Sequence, residues 1–341
     1  MTMRAAVFKK KDVMAIIDVP NPVAGAGEVV LKVHNCGICG SDLHAVQYGR
    51  GLKPDSVMGH EFCGEIHELG AGVEGYKRGD RVTSLPYIAC GVCDPCARDD
   101  GMHCAKIRSL GLGQLPGAYA EYVLCGAASL LKLPANVSSR AGALVEPLSV
   151  GLHGVNRAQL KPGMGCVVMG AGPIGLSTLI WAKAKGASAV VVSELAPGRT
   201  ELAMKLGASA VVNPNNENPA ETVRSITGRT PEIVFECIGV KSTLSAAIGM
   251  AGRHGRVVVI GVCMEPDTIN PLTCIMKEMS IDFALAYNRA EFKETIDALA
   301  SCAIDATPMI TDVIDVGEVP AMFTALKRPG SRAKVMVEFP H

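Results

Sequence analysis

Four cysteines crowd into fifteen residues: Cys90, Cys93, Cys96 and Cys104, spaced C-x2-C-x2-C-x7-C. A single loop with this spacing can wrap four thiolates around one tetrahedral Zn²⁺ and leave no position for water. Gly91, Asp94 and Pro95 supply turns between them. A site closed in this way holds a chain together and does no chemistry. It points to a longer protein that carries a second, different set of metal ligands. Four unrelated thiols are the alternative, and both the spacing and the turn residues speak against it.

At 341 residues the chain is long enough for two domains of ordinary size. Its formal net charge is zero, so neither a nucleic-acid footprint nor an acidic partner is implied. No apolar run approaches the ~18 residues of a membrane span. The opening MTMRAAVFKKKD lacks the apolar core of a signal peptide. Thirteen cysteines, an odd number, fit a reducing compartment better than a disulfide scaffold. The expectation is a soluble, cytoplasmic, two-domain protein with no nucleic-acid or membrane partner.

Residues 1–150 are rich in short β-branched runs broken by glycine and proline, such as GEVVLKVHNCG and FCGEIHELG. That texture predicts a mainly β domain, with the cysteine lobe at about 88–106. Within 151–286 apolar strands alternate with amphipathic helices. The strand candidates are 166–170, 189–194, 208–213, 232–237 and 256–261. Such alternation means a parallel sheet covered on both faces, a doubly wound dinucleotide-binding domain. Residues 287–341 are expected to return and complete the first domain. The fold class is α/β.

Two stretches match G-x-G-x-x-G, and 37 glycines would supply about 0.4 such matches by chance. Context separates them. Gly170-Ala171-Gly172-Pro173-Ile174-Gly175 follows a strand, opens a helix and has Glu194 at the end of the next strand. Gly70 to Gly75 runs into another turn and strand, with no helix N-terminus to receive a pyrophosphate, and reads as a turn. In the first stretch Gly170 permits the tight turn, Gly172 lets the main chain approach phosphates, and Gly175 lets helix and strand pack closely. Glu194 can accept from both ribose hydroxyls and would repel a 2′-phosphate, which favours NAD over NADP. Arg199, placed beside the same end of the cofactor, and Lys241 weigh the other way.

Cys39, His60 and Glu146 lie far apart in sequence, in the settings CGICGSDLH, MGHEFCG and VEPLSVG. One thiolate, one imidazole and one carboxylate would leave a fourth metal position open, the arrangement of a catalytic zinc. Singly, each has a duller reading: a small core residue, a satisfied polar group, a helix cap.

The whole chain resembles the zinc-dependent medium-chain alcohol/polyol dehydrogenase family, in its sorbitol/butanediol dehydrogenase-like branch. The matching features are Gly37 to His44 (G-x-C-G-S-D-x-H), Gly59 to Glu61 (G-H-E), the four-cysteine lobe, Glu146 to Gly151 (E-P-L-S-V-G) and the glycine turn, in order. The resemblance implies a GroES-like mainly β catalytic domain beside a Rossmann domain, with one catalytic and one structural zinc per subunit. It implies that Cys39 and His60 bind the catalytic zinc, with Glu146 in the third-ligand position. Glu61 either ligates the metal or stands behind it and exchanges with water. Ser41 and His44 fall in the proton relay, and Lys334 falls where a basic residue often touches the cofactor pyrophosphate. The implied reaction passes hydride from a zinc-bound alkoxide to NAD while the proton leaves through Ser41 and His44. The family assembles as tetramers or dimers, and the strand MSIDFALAY is the candidate inter-subunit edge.

Two positions depart from the polyol pattern. Ala45 follows the relay histidine where an aromatic residue is typical. Leu285 and Ala286 stand where an Arg-aromatic pair would bind extra hydroxyls. Both changes remove polar or bulky groups, so an apolar secondary alcohol or its ketone is expected in preference to a sugar alcohol. A polyol or 2,3-butanediol dehydrogenase is the runner-up. A non-catalytic cofactor-binding relative is a third reading, against which the intact Cys39, Ser41, His44, His60 and Glu146 argue.

Overall fold

The computed structural model describes residues 1–49, 51–328 and 330–340. Two sheets organise the chain. The first is built around the strand Glu28–Gly37, which pairs antiparallel with Glu61–Leu69 and with Tyr122–Gly126. Its far end takes Lys334–Glu338, which in turn pairs parallel with Ile310–Ile314. The last residues of the chain thus return to complete the N-terminal sheet. Its core is closed by Leu31, Val33, Phe62, Ile66, Tyr119 and Val335.

The second sheet has six parallel strands in the order Ala210–Val212, Ala189–Ser193, Gly165–Met169, Ile233–Glu236, Arg256–Val259, Ser280–Phe283. In chain order this is 3-2-1-4-5-6, the doubly wound arrangement with its switch point beside the strand Gly165–Met169. Every residue of Gly165–Met169 and Ala189–Ser193 is buried, because helices cover both faces. Four of those helices start with proline at the first helical position: Pro173, Pro197, Pro219 and Pro271. The missing N–H of proline is no loss there, and its fixed φ suits the first turn.

The helix Ser139–Arg157 joins the two halves. Ser138 caps it by accepting from Ala141 N, and thirteen of its nineteen residues are buried. It packs on the strand Glu61–Leu69 at one side and on the helices Pro173–Ala184 and Arg289–Ala300 at the other. The change of sequence texture near residue 150 therefore falls inside one continuous helix that serves both sheets. Gly70 to Gly75 forms a turn after the strand Glu61–Leu69, with no helix following. Among the described residues, no helix is long and apolar enough to cross a membrane.

Candidate active site and metal centres

The four cysteines of the lobe converge. The ligand atoms of Cys90, Cys93, Cys96 and Cys104 all lie within 4.8 Å of one another. The short helix Asp94–Ala97 and a 3₁₀ turn at Gly101–His103 fold the segment back on itself. Backbone N–H groups of Val92 and Cys93 pull the Cys90 thiol down to about 6, so a thiolate is prepared before any ion arrives. Four sulfurs at this separation fit a tetrahedral, closed zinc site.

A second convergence lies at the end of the strand Glu28–Gly37. Cys39 begins the helix Gly40–Tyr48, and His60 and Glu61 begin the strand Glu61–Leu69 and the turn before it. Their ligand atoms also lie within 4.8 Å of one another. Ser41 Oγ donates to Cys39 Sγ at 3.2 Å and stands 3.3 Å from His60 Nε2. Sulfur, imidazole nitrogen and carboxylate oxygen together are a donor set suited to Zn²⁺ with a place to spare.

Behind these groups stands Asp42, which the sequence reading passed over. It is fully buried; its Oδ1 lies 3.1 Å from His60 Nδ1, and its Oδ2 accepts from Tyr119 Oη at 2.6 Å and Cys39 N at 3.1 Å. A carboxylate at Nδ1 fixes the ring so that Nε2 is turned towards Cys39 and Ser41, where it could meet a metal. Burial pulls the His60 ring down, but Asp42 and Cys39 outweigh it and raise it well above the usual imidazole value. A proton, or a metal ion in its place, is strongly favoured there. The signal was present, since Asp42 sits between Ser41 and His44 in the quoted motif.

Two residues have partners that the family resemblance did not indicate. Glu146 lines the same cleft as Cys39 and His60 but does not join them; Glu61 does. Burial pushes the Glu146 carboxyl up to about 7, with His60 pulling it down and Glu61 adding to the rise. Its Oε1 accepts from the Tyr287 hydroxyl at 2.9 Å. Lys334, which also lines the cleft, is wholly buried, and its Nζ donates to both oxygens of Glu61 and to Ile38 O. Register is the physical reason. The strand Lys334–Glu338 and the strand Glu61–Leu69 both pair with Gly37, from opposite sides. A Cβ on Gly37 would lie 2.1 Å from Glu61 Oε2 and 3.2 Å from Lys334 Cδ, so only glycine lets the pair close.

The glycine turn opens onto the same cleft. Gly170 has φ +86°, and a Cβ on Gly175 would meet Gly170 O at 1.9 Å. A Cβ on Gly172 would meet nothing within 4 Å, so the space a side chain would fill is open. Gly172 precedes the helix Pro173–Ala184 with no side-chain cap, which leaves N–H groups free for a phosphate. Glu194 closes the turn, accepting from Ala171 N at 2.8 Å and from Leu195 N and Ala196 N. These features fit a dinucleotide. Arg199 turns its Nε to Arg332 O at 2.9 Å.

Between the metal group and the glycine turn runs a cleft of about 410 Å³, lined by Cys39, Ser41, His44, His60, Glu146, Gly172 and Pro173 among others. Its remaining walls are largely apolar: Met102 from the cysteine lobe, Leu110, Leu112, Val150, Ile260 and Leu285. Ala286 also faces it, whereas Ala45 packs against the core of the first sheet.

The sequence matches the alcohol dehydrogenase GroES-like domain family over residues 25–135 and the zinc-binding dehydrogenase family over residues 173–301. It is 32% identical to sorbitol dehydrogenase of Bacillus subtilis over 98% of this chain and 97% of that one. Among solved structures it resembles 2R,3R-butanediol dehydrogenase from Bacillus subtilis, with a TM-score of 0.90, 32% identity and coverage of 99% of this chain and 100% of that chain. A zinc-binding dehydrogenase from Sinorhizobium meliloti, solved with NADP bound, gives a TM-score of 0.91 at 30% identity, covering 99% and 100%. The chain belongs to the zinc-dependent medium-chain alcohol/polyol dehydrogenases, and it is an oxidoreductase of that family.

Proposed function

We propose that this protein oxidises an apolar secondary alcohol, or reduces its ketone, with NAD as the hydride partner. The observation that carries the reading is the single cleft that joins Cys39, His60 and Glu61 to the glycine turn through apolar walls. Cys39, His60 and Glu61 would hold the catalytic zinc, and Cys90, Cys93, Cys96 and Cys104 the structural one. Bound zinc supplies a Lewis acid that polarises the substrate oxygen, and bound NAD accepts hydride at C4 of the nicotinamide. The chain's own groups do the rest. Leu110 and Val150 exclude water from the reacting face. Ser41, beside Cys39 and His60, takes the hydroxyl proton, and His44 on the same helix carries it towards solvent.

Glu194 supports NAD. Its carboxylate sits at the end of Ala189–Ser193, where a ribose 2′-phosphate would meet negative charge. The side chains of Leu285 and Ala286 themselves cannot hydrogen-bond extra hydroxyls, which supports an apolar substrate over a polyol. The runner-up, a polyol or 2,3-butanediol, draws on the names of the relatives and on the polar pair Glu146 and Tyr287 in the same cleft. An oligomer is part of this reading. The edge strand Ser280–Phe283 is bordered by exposed Phe283, Leu285, Leu272, Ile275 and Met276, an apolar face that a second copy would cover in a dimer or tetramer. The cytoplasm, which keeps thiols reduced, is the compartment that suits the cysteine sites.

Absorbance of reduced cofactor across secondary, cyclic and polyhydric alcohols tests the reading, with NAD and NADP in parallel. Fastest turnover of an apolar secondary alcohol with NAD supports it. Better turnover of sorbitol or xylitol would replace it with the polyol reading.

A further inference from the structure

Two carboxylates line the cleft, and only Glu61 lies with Cys39 and His60. Glu146 borders the same space, and a rotation of its side chain onto the ion would add a third negative donor. A specific hydrogen bond opposes that rotation. The Tyr287 hydroxyl donates to Glu146 Oε1 at 2.9 Å. Tyr287 is 3% exposed, and its ring stacks on the buried Phe292 with centroids 5.3 Å apart.

The donor and the acceptor sit on two elements tied to each other. Asn288, next to Tyr287, caps the helix Arg289–Ala300 in a capping box with Glu291. Glu291 accepts from Asn156 at 2.9 Å and pairs with His153 at 2.9 Å. Ser149 Oγ reaches Thr295 Oγ1 at 3.1 Å. Ser149, His153 and Asn156 belong to the helix that carries Glu146, so the phenol and the carboxylate cannot drift apart independently.

We propose that Tyr287 is a positioning residue that turns the Glu146 carboxylate beside the catalytic metal rather than onto it, leaving the fourth ligand place to the substrate oxygen. The proposal rests on the reading of Cys39, His60 and Glu61 as the metal ligands. Tyr287 belongs to none of the motifs that carry the family resemblance, and its role emerges only from the packing of two helices.

Tyr287→Phe keeps the ring and its stack on Phe292 and removes one oxygen. In the cobalt-substituted protein without substrate, the variant's d–d spectrum should differ from wild type, because Glu146 adds to the ion. In the zinc enzyme KM for the alcohol should rise about tenfold while kcat stays within about threefold. Adding Glu146→Gln to Tyr287→Phe should return both the spectrum and KM towards wild type. An unchanged spectrum and KM in Tyr287→Phe would overturn the proposal. So would selective loss of the catalytic ion to a chelator in that variant, since Glu146 would then be a ligand that Tyr287 supports. A wild-type chain that binds cobalt only at the four cysteines would instead refute the ligand reading beneath it.

Discussion

The Lys334 ammonium lies 2.7 Å from Glu61 Oε1 and 2.6 Å from Oε2, and neither side chain has any exposed surface. Burial works against a charged lysine, but Glu61 more than compensates and raises it above the ordinary lysine value. One carboxylate thus faces a lysine on one side and the Cys39–His60 group on the other. Lys334 balances the charge of Glu61 when no metal is present and limits its donor strength when one is.

Lys334→Met should therefore leave an unpaired buried carboxylate. In the zinc-free protein the expected loss is about 3–5 kcal/mol of unfolding free energy, read by denaturant titration in the presence of chelator. With zinc restored the loss should shrink, because the ion takes over the neutralising role. Equal losses in both states would show that Glu61 does not reach the metal.

Asp42→Asn should weaken zinc binding at the Cys39 site without touching the cysteine lobe. The amide keeps the shape but not the charge that sets the His60 ring. Removing such a partner of a ligating histidine costs about 10–100-fold in metal affinity or activity. Competition with a graded chelator, followed by metal analysis, should show one ion leaving early and one retained.

The lobe reaches the cleft. Met102 lies between Cys96 and Cys104 and lines the cleft, and Asp99 accepts from Ala290 N at 3.2 Å, three residues beyond Tyr287. Cys96→Ser should release the structural ion and slacken this wall. KM for bulky apolar alcohols should rise several-fold more than KM for small ones, and the melting temperature should fall. A change in stability with no change in substrate preference would confine the lobe to a structural role.

Glu146 predicts a pH dependence for the zinc-free protein. Its folded carboxyl is held up at about 7, against about 4.3 for an unfolded glutamate. The folded chain keeps a proton that the unfolded chain has already released between those values. The stabilisation from this group is complete below about pH 4.3 and is lost as the pH rises through about 7, by at most about 4 kcal/mol. His60, also raised, contributes in the same direction. Melting curves in chelator should fall with rising pH more steeply for wild type than for Glu146→Gln. Parallel curves would contradict the burial argument.

Much of the architecture was legible in the sequence. The predicted strand segments each overlap an observed strand, because apolar runs flanked by proline-led helices favour a parallel sheet that buries both faces. The cysteine spacing implied its own convergence, since all four ligands sit on one short loop. The catalytic group was only partly legible. Cys39 and His60 stand in distinctive motifs, but whether Glu61 or Glu146 meets them depends on strand register around Gly37 and on a hydroxyl from residue 287. Lys334 illustrates the same limit: its partner is 273 positions away, and no local pattern announces a contact made across three strands. Asp42 lies inside a motif whose pattern shows no role for it, because its importance lies in which ring nitrogen it meets.

Zinc-dependent alcohol oxidation can be tested on one preparation of the protein. Purified protein is assayed for NAD reduction with its best secondary alcohol, then stripped at the Cys39 site by chelation, then given back one equivalent of zinc per chain. Turnover should disappear with the metal and return with it, while the four-cysteine ion stays in place throughout. Turnover that persists after the Cys39 site is emptied would contradict zinc dependence.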